Sequence, residues 1–369
     1  MIRIGYALTL PVVAAMVLPG RLNMPGRLNI AAPVSCTTAT LACTEWVTMA
    51  GGPGRTLVYR TYALDSRNEA ITRAFILVHG AGRDAHNYFR HALAAAFLAG
   101  ALENTIVISP RFAANEGGSC RDTLAANEIN WSSCSGETWR SGSGAISNRQ
   151  VTSFDVADEI LRKLARRESF PNLRSIVIAG HSAGGQYVNR YEIANQIHDR
   201  LGVPITYVVA NPSSYAYPDS LRPRSSAFPQ NVAALPPGYI PPPLANPPPP
   251  FGRYGDSEDC TTYDTWPYGL RNRTGYTAKQ SVEQLRRQLA ARPTTYLVGE
   301  LDILPLYGFD TSCPAMAQGP TRLARGLAFG RYVNDNFGAR HTTLVVPACG
   351  HSARCMFTSD VVLAVIFPR

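Results

Sequence analysis

The sequence predicts an α/β fold: a mostly parallel central sheet flanked by helices, with a Pro-rich insertion after the sixth strand. Three observations predict it. Short apolar runs rich in β-branched residues, such as Arg73 to Val78 (RAFILV) and Ile205 to Ala210 (ITYVVA), read as strands buried on both faces. Between them lie stretches with apolar residues at helical spacing, as in Ser153 to Arg167 (SFDVADEILRKLARR). The alternation stops at residue 212 and resumes after 275, which makes the intervening stretch an insertion into one domain rather than a linker between two.

Taken in order, Arg55 to Ala63 (RTLVYRTYA) alternates and reads as a strand. RAFILV is a buried strand ending at His79-Gly80, and Asn87 to Leu98 is an Ala-rich helix. Thr105 to Ser109 (TIVIS) is a buried strand closed by Pro110. Residues 113 to 150 are rich in Ser, Gly and Asn and read as irregular. The helix from Ser153 opens on a capping residue. Ser175 to Ala179 is a strand, Gly185 to His198 a helix and Ile205 to Ala210 a strand. In residues 212 to 275, Pro236-Pro237, Pro241 to Pro243 and Pro247 to Pro250 cannot lie inside a helix or a central strand. So long a stretch reads as a lid or a disordered segment. Thr277 to Ala291 and Thr321 to Asn336 read as helices, Thr294 to Val298 (TTYLV) and Thr342 to Val346 (TTLVV) as strands, and Val361 to Phe367 as a last short apolar element.

The chain of 369 residues is 45% hydrophobic, enough for a large core. Its formal charge of +9 comes almost wholly from arginine, since Lys163 and Lys279 are the only lysines. The arginines are scattered, without an aromatic-interleaved basic stripe or a nucleic-acid motif, so no nucleic-acid partner is expected. Residues 1–35 read as a leader: Arg3, then an apolar stretch from Ile4 to Leu18 that Pro11 interrupts, too short for a comfortable membrane span. The expectation is an exported protein, periplasmic or secreted, with the folded domain at 36–369. The eight cysteines agree, all of them after residue 35. Proximity pairs Cys36 with Cys43, Cys120 with Cys134 and Cys349 with Cys355, leaving Cys260 and Cys313. No CxxC and no zinc-ligand spacing occurs, and no metal or cofactor is expected.

The chemistry centres on Gly180-His181-Ser182-Ala183-Gly184, which follows a strand and precedes a helix. That setting lets glycines permit a sharp turn that presents Ser182 at the carboxyl end of the sheet. The N–H of Ala183 opens the following helix, where the dipole favours a developing oxyanion. A serine needs a base, and the chain order expected on this fold is serine, acid, histidine. His341 enters the TTLVV strand at its wrong end, whereas His351 follows that strand at the same sheet edge as Ser182 and is the candidate base. Gly299-Glu300-Leu301-Asp302 follows TTYLV; Asp302 is the preferred acid and Glu300 the alternative. His79-Gly80-Ala81-Gly82 supplies a second oxyanion donor, with Ala81 N–H preferred and Gly82 the alternative. Trp139, Tyr215, Tyr217 and Trp266 are candidates to overhang the site from loops.

The elbow, the His-Gly loop, GELD and the late His351, together with VHGAGRDAHNYF, SFDVADEILRKL, FPNLRSIVIAGHSAGGQ and NPSSYAYPD, resemble the α/β-hydrolase superfamily. They are similar to a group of secreted bacterial and fungal hydrolases. The resemblance covers roughly residues 55 to 369 except the insertion, which lacks the family's lid helices. It implies a Ser182 nucleophile, an Asp302 acid, a His351 base, esterase-like chemistry and no cofactor. The expected function is hydrolysis of small or polymeric carboxylic esters through an acyl-enzyme. The alternatives are an acyltransferase, a polyester or cell-wall ester depolymerase and, last, a non-catalytic binding module on a hydrolase scaffold.

A Cys349–Cys355 bridge would close a small loop around His351 and restrict it. Selective reduction is expected to lower activity, and unchanged activity of the reduced protein contradicts that restriction.

Overall fold

The apolar runs must bury both faces, and a sheet between two helical layers is where they do so. The computed structural model describes Met1 and residues 34–50, 54–134, 138–224, 250–254 and 260–368. Nearly all of the expected leader, and residues 225–249 and 255–259 of the expected insertion, lie outside the described residues. The elements below belong to the unit Pro33–Arg369.

Eight strands form one sheet: β1 (Thr44–Thr48), β2 (Arg55–Arg60), β3 (Arg73–Val78), β4 (Thr105–Pro110), β5 (Ser175–His181), β6 (Ile205–Ala210), β7 (Thr294–Gly299) and β8 (Thr342–Val346). Their order is β1-β2-β4-β3-β5-β6-β7-β8. The pairs β1–β2 and β2–β4 are antiparallel, and every pair from β4 to β8 is parallel. β1 is the strand that sequence reading passed over. TEWVT is short, polar at three of its five positions and only half covered at the sheet edge, so no apolar run marks it.

Among the described residues, eight α-helices complete the layers: α1 (Ala85–Leu98), α2 (Ser153–Leu164), α3 (Ala183–Ala194), α4 (Val282–Ala291), α5 (Cys313–Met316), α6 (Arg322–Phe337), α7 (Ala353–Thr358) and α8 (Asp360–Ile366). The period-2 alternation of the strands divides the core in two. Ile76, Ile178 and Val209 face Phe154 of α2, Tyr187 of α3 and Phe329 of α6. Phe75, Leu77, Val177 and Val208 face Phe89 of α1, Phe357 of α7 and Ile366 of α8. The apolar element near the C-terminus is thus a helix packed on the second face. α2 starts where expected: Thr152 and Asp155 form a reciprocal capping box.

The described residues after β6 include parts packed into the core. Tyr215 and Tyr217 are fully buried and pack on Phe329, with ring centroids 4.6 and 5.0 Å apart. An antiparallel ribbon, Leu221–Pro223 with Phe251–Arg253, brackets residues 225–249. Trp266 is buried and its Nε1 donates to Ser141 O at 3.1 Å; Trp139 is buried too. None of these four aromatics overhangs the site as the sequence suggested. Aromatic bulk serves the core here.

The cysteines sit in four bonded pairs: Cys36–Cys43, Cys120–Cys134, Cys260–Cys313 and Cys349–Cys355, with Cα separations of 5.4, 6.1, 5.8 and 5.7 Å. Among the described residues, no helix is long and apolar enough to cross a membrane.

The centre of the sheet is held by backbone contacts that only glycine permits. A Cβ on Gly184 would lie 2.2 Å from the carbonyl oxygen of Val78, and one on Gly180 would lie 2.2 Å from that of Gly184. Gly184→Ala is therefore expected to cost about 3 kcal/mol or more in denaturant unfolding, at or beyond the usual range for overpacking. Gly82→Ala, whose Cβ would meet Asp84 Oδ1 at a comfortable 3.4 Å, is expected to cost under about 1 kcal/mol. Equal costs contradict this packing.

Candidate active site

β5 runs into Ser182, and α3 begins immediately after it. Ser182 holds φ 59° and ψ −120°, a left-handed conformation that a non-glycine residue adopts only under constraint. The constraint is visible. Ser182 N–H donates to Ala210 O at the end of β6, and Ser182 O accepts from Gln186 N–H in α3, both at 3.0 Å. Ser182 is 8% exposed. Ala183 is the first residue of α3, where backbone N–H groups lack an intrahelical acceptor.

The loop after β3 lies against this turn. A Cβ on Gly80 would stand 3.7 Å from Ser182 Cβ and 2.7 Å from the Tyr88 hydroxyl, so a glycine is needed there. His79 is wholly buried and fixes the loop from beneath. Its Nε2 accepts from Phe112 N–H at 3.0 Å, so its proton resides on Nδ1, which donates to Gly80 O at 2.8 Å. Burial pulls its pKa from 6.5 down to about 4. Ala81 and Gly82 are exposed just beyond. Arg83 clamps this loop from the far side, donating to Ala81 O at 3.2 Å and to Ser119 O at 2.8 Å, and pairing with Asp122 at 2.7 Å.

On the other side, the loops after β7 and β8 are stitched together. Glu300 N–H donates to Val346 O at 3.0 Å and Leu301 N–H to Cys349 O at 2.9 Å. Asn211, just past β6, accepts from Gly299 N–H at 2.8 Å and donates to Gly350 O at 3.3 Å. Within this frame His351 Nδ1 meets Asp302 Oδ2 at 2.7 Å, with the Asp302 side chain 2% exposed. The other oxygen of Asp302 pairs with Arg322 Nη1 at 3.3 Å. Arg322 is held in turn by Ser213 Oγ at 3.0 Å and by the carbonyls of Leu306 and Tyr307 at 2.9 and 3.1 Å. Glu300 does something else: its Oε2 accepts from Ala348 N–H at 2.8 Å and so caps the loop that leads to His351.

The two halves meet through His181, the residue before Ser182. Its ring centroid is 4.6 Å from that of His351, and its Nδ1 contacts the Tyr88 hydroxyl at 3.3 Å. Burial first, then the neighbouring His351 and Arg322, hold its pKa well below the usual value. Tyr307 lies parallel to His351 at 6.1 Å and is exposed. Arg322, Asn211, His181 and Tyr307 were not among the residues that sequence reading selected. Only His181 carried a signal, its place inside the elbow. His341, set aside in the sequence, is bonded to the Tyr296 hydroxyl at 2.8 Å and immediately precedes β8, whereas this frame follows that strand. Among the described residues, the one donor group compact enough for a metal ion is Glu116 with Cys120 and Cys134, and its two sulfurs are joined in a disulfide.

A family model described as "Alpha/beta hydrolase family" matches residues 75–365. Among solved structures the chain is similar to LpqC, a poly(3-hydroxybutyrate) depolymerase from Bordetella parapertussis, at 18% identity and TM-score 0.54, over 85% of this chain and 84% of that one. It is also similar to poly(aspartic acid) hydrolase-1 from Sphingomonas sp. KT-1, at 21% identity and TM-score 0.53, over 88% and 98% of the two chains. These two likenesses are likenesses of fold. A search of curated proteins finds no match.

Because His79 is neutral when folded, the unfolded chain binds more protons between pH 6.5 and about 4. Its contribution to stability is complete above pH 6.5 and is lost as pH falls toward about 4. The thermal midpoint should drop across that window, with a shallower slope in His79→Gln. Equal slopes contradict the assignment.

Proposed function

The chain belongs to the alpha/beta hydrolase family, and from that premise we propose that it hydrolyses carboxylic esters, with Ser182 as nucleophile, His351 as base and Asp302 as the residue that orients it. The observation that carries this reading is the 2.7 Å bond from Asp302 to His351 at the sheet edge where the strained Ser182 stands. With Nδ1 engaged by Asp302, the imidazole keeps Nε2 as the atom that accepts a proton. Ser182 Oγ bonds to the carbonyl carbon while its proton passes to Nε2. The tetrahedral oxyanion is taken by the N–H groups of Ala183 and Ala81, with Gly82 the alternative to Ala81. Collapse expels the alcohol, which leaves with the proton from His351. Water then repeats the sequence on the acyl-enzyme and regenerates Ser182. Arg322 occupies the second oxygen of Asp302, so the carboxylate cannot rotate away from the imidazole.

A polymeric ester is the second reading, favoured by one observation. Leu304, Leu306 and Tyr307 are 45, 48 and 74% exposed on the loop that carries Asp302, and Tyr307 lies beside His351. An exposed apolar loop next to the base suits an extended polymer chain. The likeness to a protein named as a poly(3-hydroxybutyrate) depolymerase is in keeping with it. The paired cysteines fit the oxidising compartment expected of an exported protein.

On a 4-nitrophenyl ester, Ser182→Ala and His351→Ala should each lower kcat by about 10⁴-fold or more, and Asp302→Asn by about 10⁴-fold. Glu300→Gln should cost less than about ten-fold, since Glu300 caps a loop. Activity that survives Asp302→Asn and is lost in Glu300→Gln reverses the assignment of the acid.

A further inference from the structure

A cavity lies about one helical turn along α3 from Ser182, and nothing in the mechanism uses it. It has a volume of ≈ 230 Å³. Gln186 and Arg190 of α3 line one wall, Thr138 and Arg140 another, and Tyr268 with Asp310 a third. Gln186 N–H is the group bonded to Ser182 O, so the first lining residue on α3 stands about 6 Å along the helix from the elbow. Its walls also come from the segments that hold the site. Trp139, next to Arg140, packs edge-on to His79 at 4.8 Å, and Asp310 lies on the loop that carries Asp302 and Tyr307.

The charges in this cavity do not balance. Arg190 is 2% exposed and, among the described residues, donates only to neutral groups: Pro267 O at 3.2 Å, Arg140 O at 3.3 Å and Ser214 Oγ at 3.1 Å. Arg140 Nε donates to Thr138 Oγ1 at 2.9 Å, and among the described residues neither terminal nitrogen of Arg140 has a protein acceptor. The one carboxylate in the lining, Asp310, is already bonded to the Tyr268 hydroxyl at 2.8 Å and to Ser312 N–H and Oγ at 3.0 and 2.6 Å. Neither arginine forms an ion pair with it at contact distance among the described residues. Neutral partners alone are not unusual here, because Arg325 is held the same way. What sets this place apart is an open space, with a guanidinium whose terminal donors are unused beside a second guanidinium. Burial lowers the pKa of both, that of Arg190 to about 9 with Arg140 contributing. An anion in the cavity would relieve that cost, and a carboxylate matches the fork of Arg140.

We propose that this cavity binds a carboxylate borne by the substrate, so that the enzyme prefers esters carrying a free acid group about one helical turn from the scissile carbonyl. The proposal rests on the hydrolase reading above and names its substrate class: monoesters of dicarboxylic acids and acid-terminated oligoesters.

The test compares the 4-nitrophenyl monoester of glutaric acid with neutral 4-nitrophenyl pentanoate. The wild type should favour the acid ester by about ten-fold or more in kcat/KM, a charge-assisted contact's worth. Arg140→Gln should collapse that ratio, Arg140→Lys should keep part of it, and Asp310→Asn should raise it. A wild-type ratio near one, or a ratio that Arg140→Gln leaves intact, overturns the proposal. Calorimetric titration of glutarate into the Ser182→Ala protein needs no turnover. Heat that Arg140→Gln abolishes supports the cavity, and absence of heat overturns it. Competition by inorganic phosphate as strong as that by glutarate reduces it to a general anion site and also overturns it. Glutarate binding without turnover of either ester keeps the cavity and removes the hydrolase reading, so the two failures are distinguishable.

Discussion

The structure depends on a close approach of backbone to backbone at the end of β3. Gly184, two residues into the turn of α3, lies against the carbonyls of Val78 and His79, where any side chain would collide. That contact draws the start of α3 onto the sheet, and Ser182 is left in a conformation that serine does not choose. The strain is sustained because α3 is buried along its whole length and because β3, β5 and β6 are pinned in register beneath it. Removing the space at Gly184 would displace the strand end, the helix start and the hydroxyl between them.

Around this turn the loops are positioned by polar groups that are buried and satisfied. His79 works as a neutral brace under the His-Gly loop, accepting from one backbone group and donating to another. Asn211 bridges the loops after β7 and β8. Arg322 spans Asp302, Ser213 and two carbonyls of the 302–310 loop. Truncating any of these leaves a buried partner unmet, which costs more than the bond itself contributed. The candidate site is therefore framed by buried, hydrogen-bonded groups, while Ala81, Gly82 and Tyr307 beside it are exposed.

The strand-turn-helix at Ser182 was legible because its signal is local: an apolar run, glycines at fixed offsets and a helical pattern within a dozen residues. The parallel character of β3 to β7 was legible because doubly covered strands read as apolar runs, and β8 was legible from TTLVV although it lies at the sheet edge. β1 was not, since an edge strand needs only one apolar face and TEWVT offers little. Tyr215 and Tyr217 were candidates to overhang the site because they lie in a Pro-rich stretch, yet one stacks on and the other packs edge-on to Phe329 of a helix more than a hundred residues later. Arg322 and Asn211 gave no sign at all, because their roles consist of contacts between segments far apart in the chain. The choice between Glu300 and Asp302 turned on two residues of loop, and what separates them in space is the partner each finds: Ala348 N–H for one and His351 for the other.

The most direct test of the account is covalent labelling with a fluorophosphonate, read by mass spectrometry of the intact protein and its peptides. The account predicts a single adduct on Ser182, formed rapidly by the wild type and absent from His351→Ala over the same time. A folded wild-type protein that takes no label, or takes it on another serine, contradicts the claim that this strained residue is an activated nucleophile.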